Sequence, residues 1–273
     1  MNKILLGKNI GIPKKISPEI LFPIKRSSAR LHSAISEPLL FVGSDIWNCF
    51  ELSWLDSSGK PVSAVCQISY DCNSINIVES KSLKLYLYSF NLSRFENPQQ
   101  VENMIVDDLR KIVRSDSLTV SLFLEPHDPR LIPVSHQGMC IDGLVCSTIR
   151  YSPTPELLLT NLDSQVTSET LHSNIFRSLC PVTSQPDWAT VTITYNGTQI
   201  SHQGLLAYLI SYRDHQGFHE DCCERIFSDI LRRCAPQSLS VICNFLRRGG
   251  IDINPIRSTP NATPLLYQRT PRQ

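Results

Sequence analysis

No Cys-X-X-Cys pair occurs in this chain, although it carries ten cysteines. That spacing is the signature of zinc ribbons and of thioredoxin-type redox centres, so both classes are disfavoured. The cysteines are scattered, apart from the adjacent Cys222 and Cys223. A chain of 273 residues can bury a core without covalent staples, so they read as reduced cytosolic thiols, mostly buried. Gly-X-Gly-X-X-Gly after a strand is missing too, as are the P-loop and Gly-X-Ser-X-Gly. A nicotinamide cofactor would therefore not be held in Rossmann fashion. No apolar run approaches the ~20 residues of a membrane span. The opening MNKILLGKNIGIPKK has an apolar core too short for a secretory signal, so a cytoplasmic protein without a membrane partner is expected. Nor is there a charge imbalance: the formal net charge is +1, which gives no general attraction to nucleic acid.

What is present is an ordinary globular composition, 41% hydrophobic and 19% charged. Residues 1–45, rich in Ser, Pro and Lys near the start, read as an extension lying on a folded body. SAVCQIS (63–69) and SLTVSLFL (117–124) have strand composition. Between them, Val101, Ile105, Leu109 and Ile112–Val113 recur at helical spacing over 98–114. Proline clusters at 125–138 and 151–156 bracket an expected strand pair.

The second half repeats this plan. VESKSLKLYLYSFN (78–91) aligns with ISHQGLLAYLISYR (200–213): Leu83 meets Leu205 and Tyr86 meets Tyr208, both 122 residues on. A break led by Phe95 or Phe218, an amphipathic helix (98–114; 220–234) and a strand (117–123; 238–244) follow in each copy. We read an internal duplication of an α+β unit, residues 46–150 and 151–258, with a flexible tail at 259–273. The polar residues at the helix starts differ. Copy one has Glu79-Ser80-Lys81, for which Ser80 or Ser82 is the expected cap, and copy two has His219-Glu220. Such asymmetry suits one composite site, or alternatively drift on solvated helix ends.

The candidate nucleophile is Cys180, followed at once by Pro181 on a loop that ends in Pro186-Asp187-Trp188. Proline on both sides stiffens the loop, and a thiol held there can be exposed and aimed. Asp187 can give or take a proton. Glu79 and Glu220 can each accept two N–H bonds from a guanine-like edge, with His219 beside them. Arg247-Arg248 against Gly249-Gly250 combines guanidinium forks with a tight turn, suited to phosphate. A metal held by His219, Cys222 and Cys223 is disfavoured, because adjacent cysteines do not readily face one tetrahedral ion.

ESKSLKLYLYSFN, SLCPVTSQPDWA, FHEDCCERI and RRGGIDINPIRS together resemble the signatures of 7-cyano-7-deazaguanine reductases, the NADPH-dependent nitrile reductases of queuosine biosynthesis. The resemblance runs from about residue 46 to 258, with the motifs in family order. It implies two tandem tunnelling-fold (T-fold) units, each an antiparallel sheet with two helices on one face, which associate into barrels in at least a homodimer. It makes Cys180 the nucleophile that forms a covalent thioimide with the nitrile carbon and Asp187 the proton donor. It assigns Val78, Glu79, Ser80, His219 and Glu220 to the deazaguanine, and Ser80, Lys81, Arg248 and Gly249 to NADPH. It implies a small-molecule substrate, no metal and no direct nucleic-acid partner. A free thiol titrates near pH ~8.5, so Cys180 needs activation, for which Asp187 is the candidate base. The competing expectations are a zinc-dependent GTP cyclohydrolase-like enzyme on the same fold and an inactive purine-binding protein.

Overall fold

The computed structural model describes residues 11, 13–35, 37–125, 128–161, 163–263 and 266–273. The opening segment Met1–Ile10, on which the signal reading falls, lies outside them. In chain order the elements are β1 (Pro23–Lys25), α1 (Arg26–His32), β2 (Val42–Leu55), β3 (Pro61–Asp71), β4 (Asn76–Val78), α2 (Ser80–Tyr88), α3 (Pro98–Val113), β5 (Thr119–Phe123) and β6 (Met139–Cys140). They continue with β7 (Val166–Leu179), β8 (Pro186–Thr198), α4 (His202–Ile210), α5 (His219–Cys234), β9 (Ser238–Phe245) and β10 (Ile251–Ser258). This is an α+β architecture whose described strand ladders are antiparallel, apart from the short β6, which pairs in parallel with β7.

Two compact units form. The first holds the described residues up to Ser28, Ser44–Ile132 and Arg247–Ile253. The second holds Ala29–Gly43, Pro133–Leu246 and Asn254–Gln273. The exchange of segments has local causes. The Phe50 amide donates to the Gly250 carbonyl at 2.8 Å, and Asn48 Nδ2 to Asp252 Oδ1 at 2.7 Å, which ties residues 247–253 to the first unit. Arg30 makes two bonds to the Glu224 carboxylate, at 2.8 and 2.9 Å, which ties α1's second half to the second unit.

In the first unit β3 lies between β2 and β5. Its sequence alternates, and Ala64, Cys66, Ile68 and Tyr70 are buried at period two. Helix α3 buries Val101, Ile105, Leu109 and Val113, a stripe every fourth residue. Asn97 caps it through Gln100 N, Pro98 starts it, and Arg114 ends it in the left-handed region at φ 55°. In the second unit the order is β7, β8, β9, β10.

Helices of equal length recur at a near-constant offset. α2 and α4 are nine residues each and begin 122 apart; α3 and α5 are 16 residues each and begin 121 apart. The ladder shifts register between Cys49 and Leu52 in β2 and between Ser173 and Phe176 in β7, 124 residues on. A tyrosine–aspartate pair recurs as well: Tyr86 Oη donates to Asp108 Oδ2 at 2.9 Å, and Tyr208 Oη to Asp229 Oδ2 at 2.8 Å.

Between the two proline clusters the expected strand pair is replaced by β6 alone, two residues long. Beyond it Asp142 turns back, and its carboxylate accepts from Ser173 Oγ at 2.6 Å and Asn174 N at 2.9 Å, where β7 bulges. A side chain that binds backbone in this way ends strand pairing. After Ser258 the chain keeps making contacts: Gln273 and Thr270 are buried, and Val134 N donates to Arg269 O at 2.9 Å.

Candidate active site

In the second unit, β7 and β8 form one long hairpin, and Cys180 and Asp187 stand at its closed end. Cys180 directly follows β7, and Asp187 is the second residue of β8, opposite Ser178. The turn is fastened by Cys180 N to Gln185 O at 2.8 Å and Ser184 N to Cys180 O at 2.9 Å, with Ser184 at φ 56°. Cys180 is 2% exposed, so the open, aimed cysteine expected from the flanking prolines is instead buried.

A short parallel bridge brings the start of α5 to the same place. Leu179 N donates to His215 O at 2.8 Å, and Gly217 N to Leu179 O at 3.1 Å. His219, the first residue of α5, then places Nε2 3.3 Å from Asp187 Oδ2. Its ring lies on Phe245, centroids 3.8 Å apart and planes 5° from parallel. Its Nδ1 is buried and has no hydrogen-bond partner among the described residues. Glu220, next on the helix, is 2% exposed. His215 is held well below the usual histidine range, at about 4, by burial and by the Arg225 charge, so it is neutral at physiological pH.

The predicted residues of the first unit cluster where β4 meets α2. Val78 ends β4, which pairs with β1, and Glu79 N donates to Phe22 O at 2.9 Å. Neither Ser80 nor Ser82 caps α2. Glu79 does so itself, accepting from Lys81 N and Ser82 N at 2.8 Å each. A carboxylate reaches two amides at once and suits the helix's positive end better than a hydroxyl. Ser82 Oγ instead donates to Glu79 O at 2.7 Å. Burial pushes the Glu79 carboxyl up, partly offset by its two backbone bonds and the Lys81 and Arg248 charges.

Arg248 and Gly249 open a type I′ turn, with Gly249 at φ 60°, Gly250 at φ 81°, and mutual bonds between Arg248 and Ile251 of 2.9 and 3.2 Å. A Cβ on Gly249 would come within 2.9 Å of Lys84 Nζ, and one on Gly250 within 2.4 Å of Glu51. Lys84 lies 3.7 Å from Glu51, whose carboxylate also accepts from Tyr88 Oη. Arg247 covers the Phe50 ring at 3.8 Å.

The predicted residues thus fall into two sets: Cys180, Asp187, His219 and Glu220 in the second unit, and Val78, Glu79, Ser80, Lys81, Arg248 and Gly249 in the first. Phe245, His215 and Glu51 were not anticipated. Only the bridge that precedes α5 accounts for His215, and no sequence pattern marks Phe245. Cys222 and Cys223 do not share a metal-like geometry with His219: Cys223 Sγ faces Pro255 O at 3.5 Å, and burial pushes the Cys222 thiol up. Among the described residues no three His, Cys, Asp or Glu side chains are grouped to hold a metal ion. Eight of the ten cysteines are buried, and no disulfide joins any of the ten. No helix among the described residues is long and apolar enough to cross a membrane.

This α+β chain, with its cysteine–aspartate hairpin end, matches known proteins along almost its full length. Residues 12–122 match the family described as nitrile reductase, 7-cyano-7-deazaguanine-reductase N-terminal, and residues 186–264 match the QueF-like protein family. The chain is 48% identical over 259 residues to the NADPH-dependent 7-cyano-7-deazaguanine reductase of Desulfotalea psychrophila, covering 94% of this chain and 92% of that one. It is 44% identical to proteins of the same name from Coxiella burnetii, covering 98% and 96%, and from Xanthomonas campestris, covering 98% and 97%. The chain belongs to the 7-cyano-7-deazaguanine reductase family.

Proposed function

We infer that this protein reduces the nitrile of 7-cyano-7-deazaguanine (preQ0) with NADPH to the aminomethyl group of 7-aminomethyl-7-deazaguanine (preQ1), a step of queuosine biosynthesis. The relatives' shared name carries the reaction. The observation that supports the mechanism is the hairpin end, where the Cys180 turn closes at Gln185, two residues before Asp187, and His219 Nε2 stands 3.3 Å from Asp187.

A nitrile carbon is a poor hydride acceptor. Addition of the Cys180 thiolate forms a C–S bond, and the nitrile nitrogen takes a proton from Asp187, giving a thioimide whose carbon is far more electrophilic. One nucleophile and one adjacent acid are the minimum set. Asp187 reaches that role by first taking the thiol proton, which also activates Cys180. The short reach from Asp187 to His219 lets the imidazole stabilise the carboxylate and hand on protons. His219 Nδ1, buried and without a partner among the described residues, is free to bond the heterocycle. Glu79 and Glu220 accept the N–H groups of the deazaguanine, with Val78 and Ser80 against it. Glu79 spends one lone pair of each oxygen on α2 and keeps the others for the base.

The residues assigned to NADPH suit its phosphates. Gly249 and Gly250 let backbone approach where a Cβ would collide, and Lys81, Lys84, Arg247 and Arg248 supply positive charge within the first unit. When bound, NADPH supplies the hydrides. We assign the two repeats to tandem T-fold units that close into barrels by association, in a cytoplasmic homodimer with no nucleic-acid or metal partner.

The test is intact-mass analysis after incubation with 7-cyano-7-deazaguanine alone. Wild type should gain the mass of one substrate per chain, and Cys180→Ala should gain none. An adduct that survives Cys180→Ala sinks the mechanism. Failure of wild type to oxidise NADPH in the presence of the nitrile sinks the reaction.

A further inference from the structure

Phe245, the ring beneath His219, is itself held from an unexpected direction. It is the last residue of β9, and its carbonyl accepts from Gln273 Nε2 at 3.0 Å. The same amide nitrogen donates to Asn254 Oδ1 at 2.6 Å, while Oε1 accepts from Thr270 N at 3.1 Å. Asn244 Nδ2 lies 3.4 Å from that oxygen and 3.2 Å from Asn254 Oδ1. Gln273 is 9% exposed, so these bonds form out of water, where a missing partner is costly. Gln is well matched to this place. Two acceptors face its NH2 and a donor faces its oxygen, so the orientation of the amide is fixed by its neighbours.

The location matters because of what hangs on this end of β9. Phe245 pairs with Ala189 of β8, two residues from Asp187. Its ring carries His219 at 3.8 Å, and His219 Nε2 meets Asp187 at 3.3 Å. Both members of the His219–Asp187 pair are therefore referenced to one ladder end. β10, which borders β9, contains Pro255, a residue with no N–H to donate. Next to that gap, the Gln273 amide bonds both β9, at Phe245 O, and β10, at Asn254 Oδ1.

We propose that Gln273 is a positioning residue for the nitrile reduction: its side-chain amide locks the Phe245 end of β9 and so sets the ring on which His219 is aligned with Asp187. This rests on the function assigned above, but its first readout does not. A ring stacked at this distance shifts the imidazole C–H proton signals of His219 upfield. Those signals are identified by their loss in His219→Ala, and Phe245→Leu marks their unstacked position.

In Gln273→Met, which keeps the length and removes every side-chain hydrogen bond, the signals should move towards the Phe245→Leu position. In the same variant kcat should fall about 10- to 100-fold, with KM for NADPH unchanged, as for a misplaced rather than missing group. Gln273→Glu, which turns a carboxylate oxygen on the Phe245 carbonyl, should do the same or more. Where wild type is active, either effect without the other overturns the proposal. So does loss of folding in both variants, because the amide would then serve the fold as a whole. An inactive wild type with the expected signal shifts would defeat the assigned reaction while leaving the Gln273 lock standing.

Discussion

Asp187 and His219 reach each other from different elements, the second residue of β8 just after the Cys180 turn and the first residue of α5, with Oδ2 and Nε2 3.3 Å apart. Neither is exposed enough for solvent to replace the other. Asp187→Asn keeps the shape and removes the proton carrier. NADPH oxidation with 7-cyano-7-deazaguanine should fall by about 10²- to 10⁴-fold, the usual worth of a positioned acid. Calorimetric binding of the nitrile should persist. A rate within about tenfold of wild type would remove Asp187 from proton transfer.

Glu79 has two duties, and substitution should expose both. As the cap of α2 it accepts from two backbone amides, so Glu79→Ala should cost about 0.5–2 kcal/mol in urea unfolding. The same change should weaken binding of the deazaguanine. The pH dependence separates the charge from the cap. The folded carboxyl is raised above its ordinary 4.5, so the folded state holds the proton more tightly than the unfolded one. The contribution of this group to stability therefore declines as pH rises from 4.5 through the raised value. Glu79→Gln should lack that part of the slope. An identical slope in both proteins would show that Glu79 titrates as a solvated carboxyl does.

The helices and inner strands of this fold were legible because their patterns are local. The stripe Val101, Ile105, Leu109 and Val113 is the buried face of α3, and the 122-residue repeat survives as two nine-residue helices. The long strands β2 and β7 were missed. Each carries a register shift, between Cys49 and Leu52 and between Ser173 and Phe176, which breaks the period-two pattern midway. The motif residues of the site could be named from resemblance, but their supports could not. Phe245 and Gln273 meet through a backbone carbonyl 28 residues away in sequence, and nothing in either local sequence encodes such a contact. Glu79 as its own helix cap was hidden by the more conventional serines on either side of Lys81.

His215 offers a second pH experiment with the opposite sign. Its folded value of about 4 lies below the ordinary 6.5, so the unfolded chain binds this proton more readily. The corresponding stability is fully present above 6.5 and is lost as pH falls from 6.5 towards 4. The thermal midpoint of wild type should drop across that window more steeply than that of His215→Gln, whose side chain has no proton to gain. Because the His215 backbone carbonyl holds Leu179 N beside Cys180, activity should fall over the same window. Parallel midpoint curves for the two proteins would rule out His215 as the source.

Glu224 is shared by two buried guanidiniums. Arg30 contacts it at 2.8 and 2.9 Å, and Arg257 at 2.8 and 3.1 Å, with the Arg257 side chain fully buried. Removing one member of a buried ion cluster exposes the desolvation cost of the others, which is why such losses run to about 3–5 kcal/mol. Glu224→Ala should therefore be among the most destabilising single changes in the second unit. Glu224 lies on α5 but five residues beyond His219, just over a turn on, so the pair formed by His219 and Asp187 is not directly touched. The expected outcome is a large fall in unfolding free energy with kcat close to wild type, measured well below the lowered transition. Arg30→Met together with Arg257→Met in the Glu224→Ala background should recover part of the loss, because no buried charge of the cluster then remains. A Glu224→Ala protein as stable as wild type would mean that water, not Glu224, compensates the two arginines.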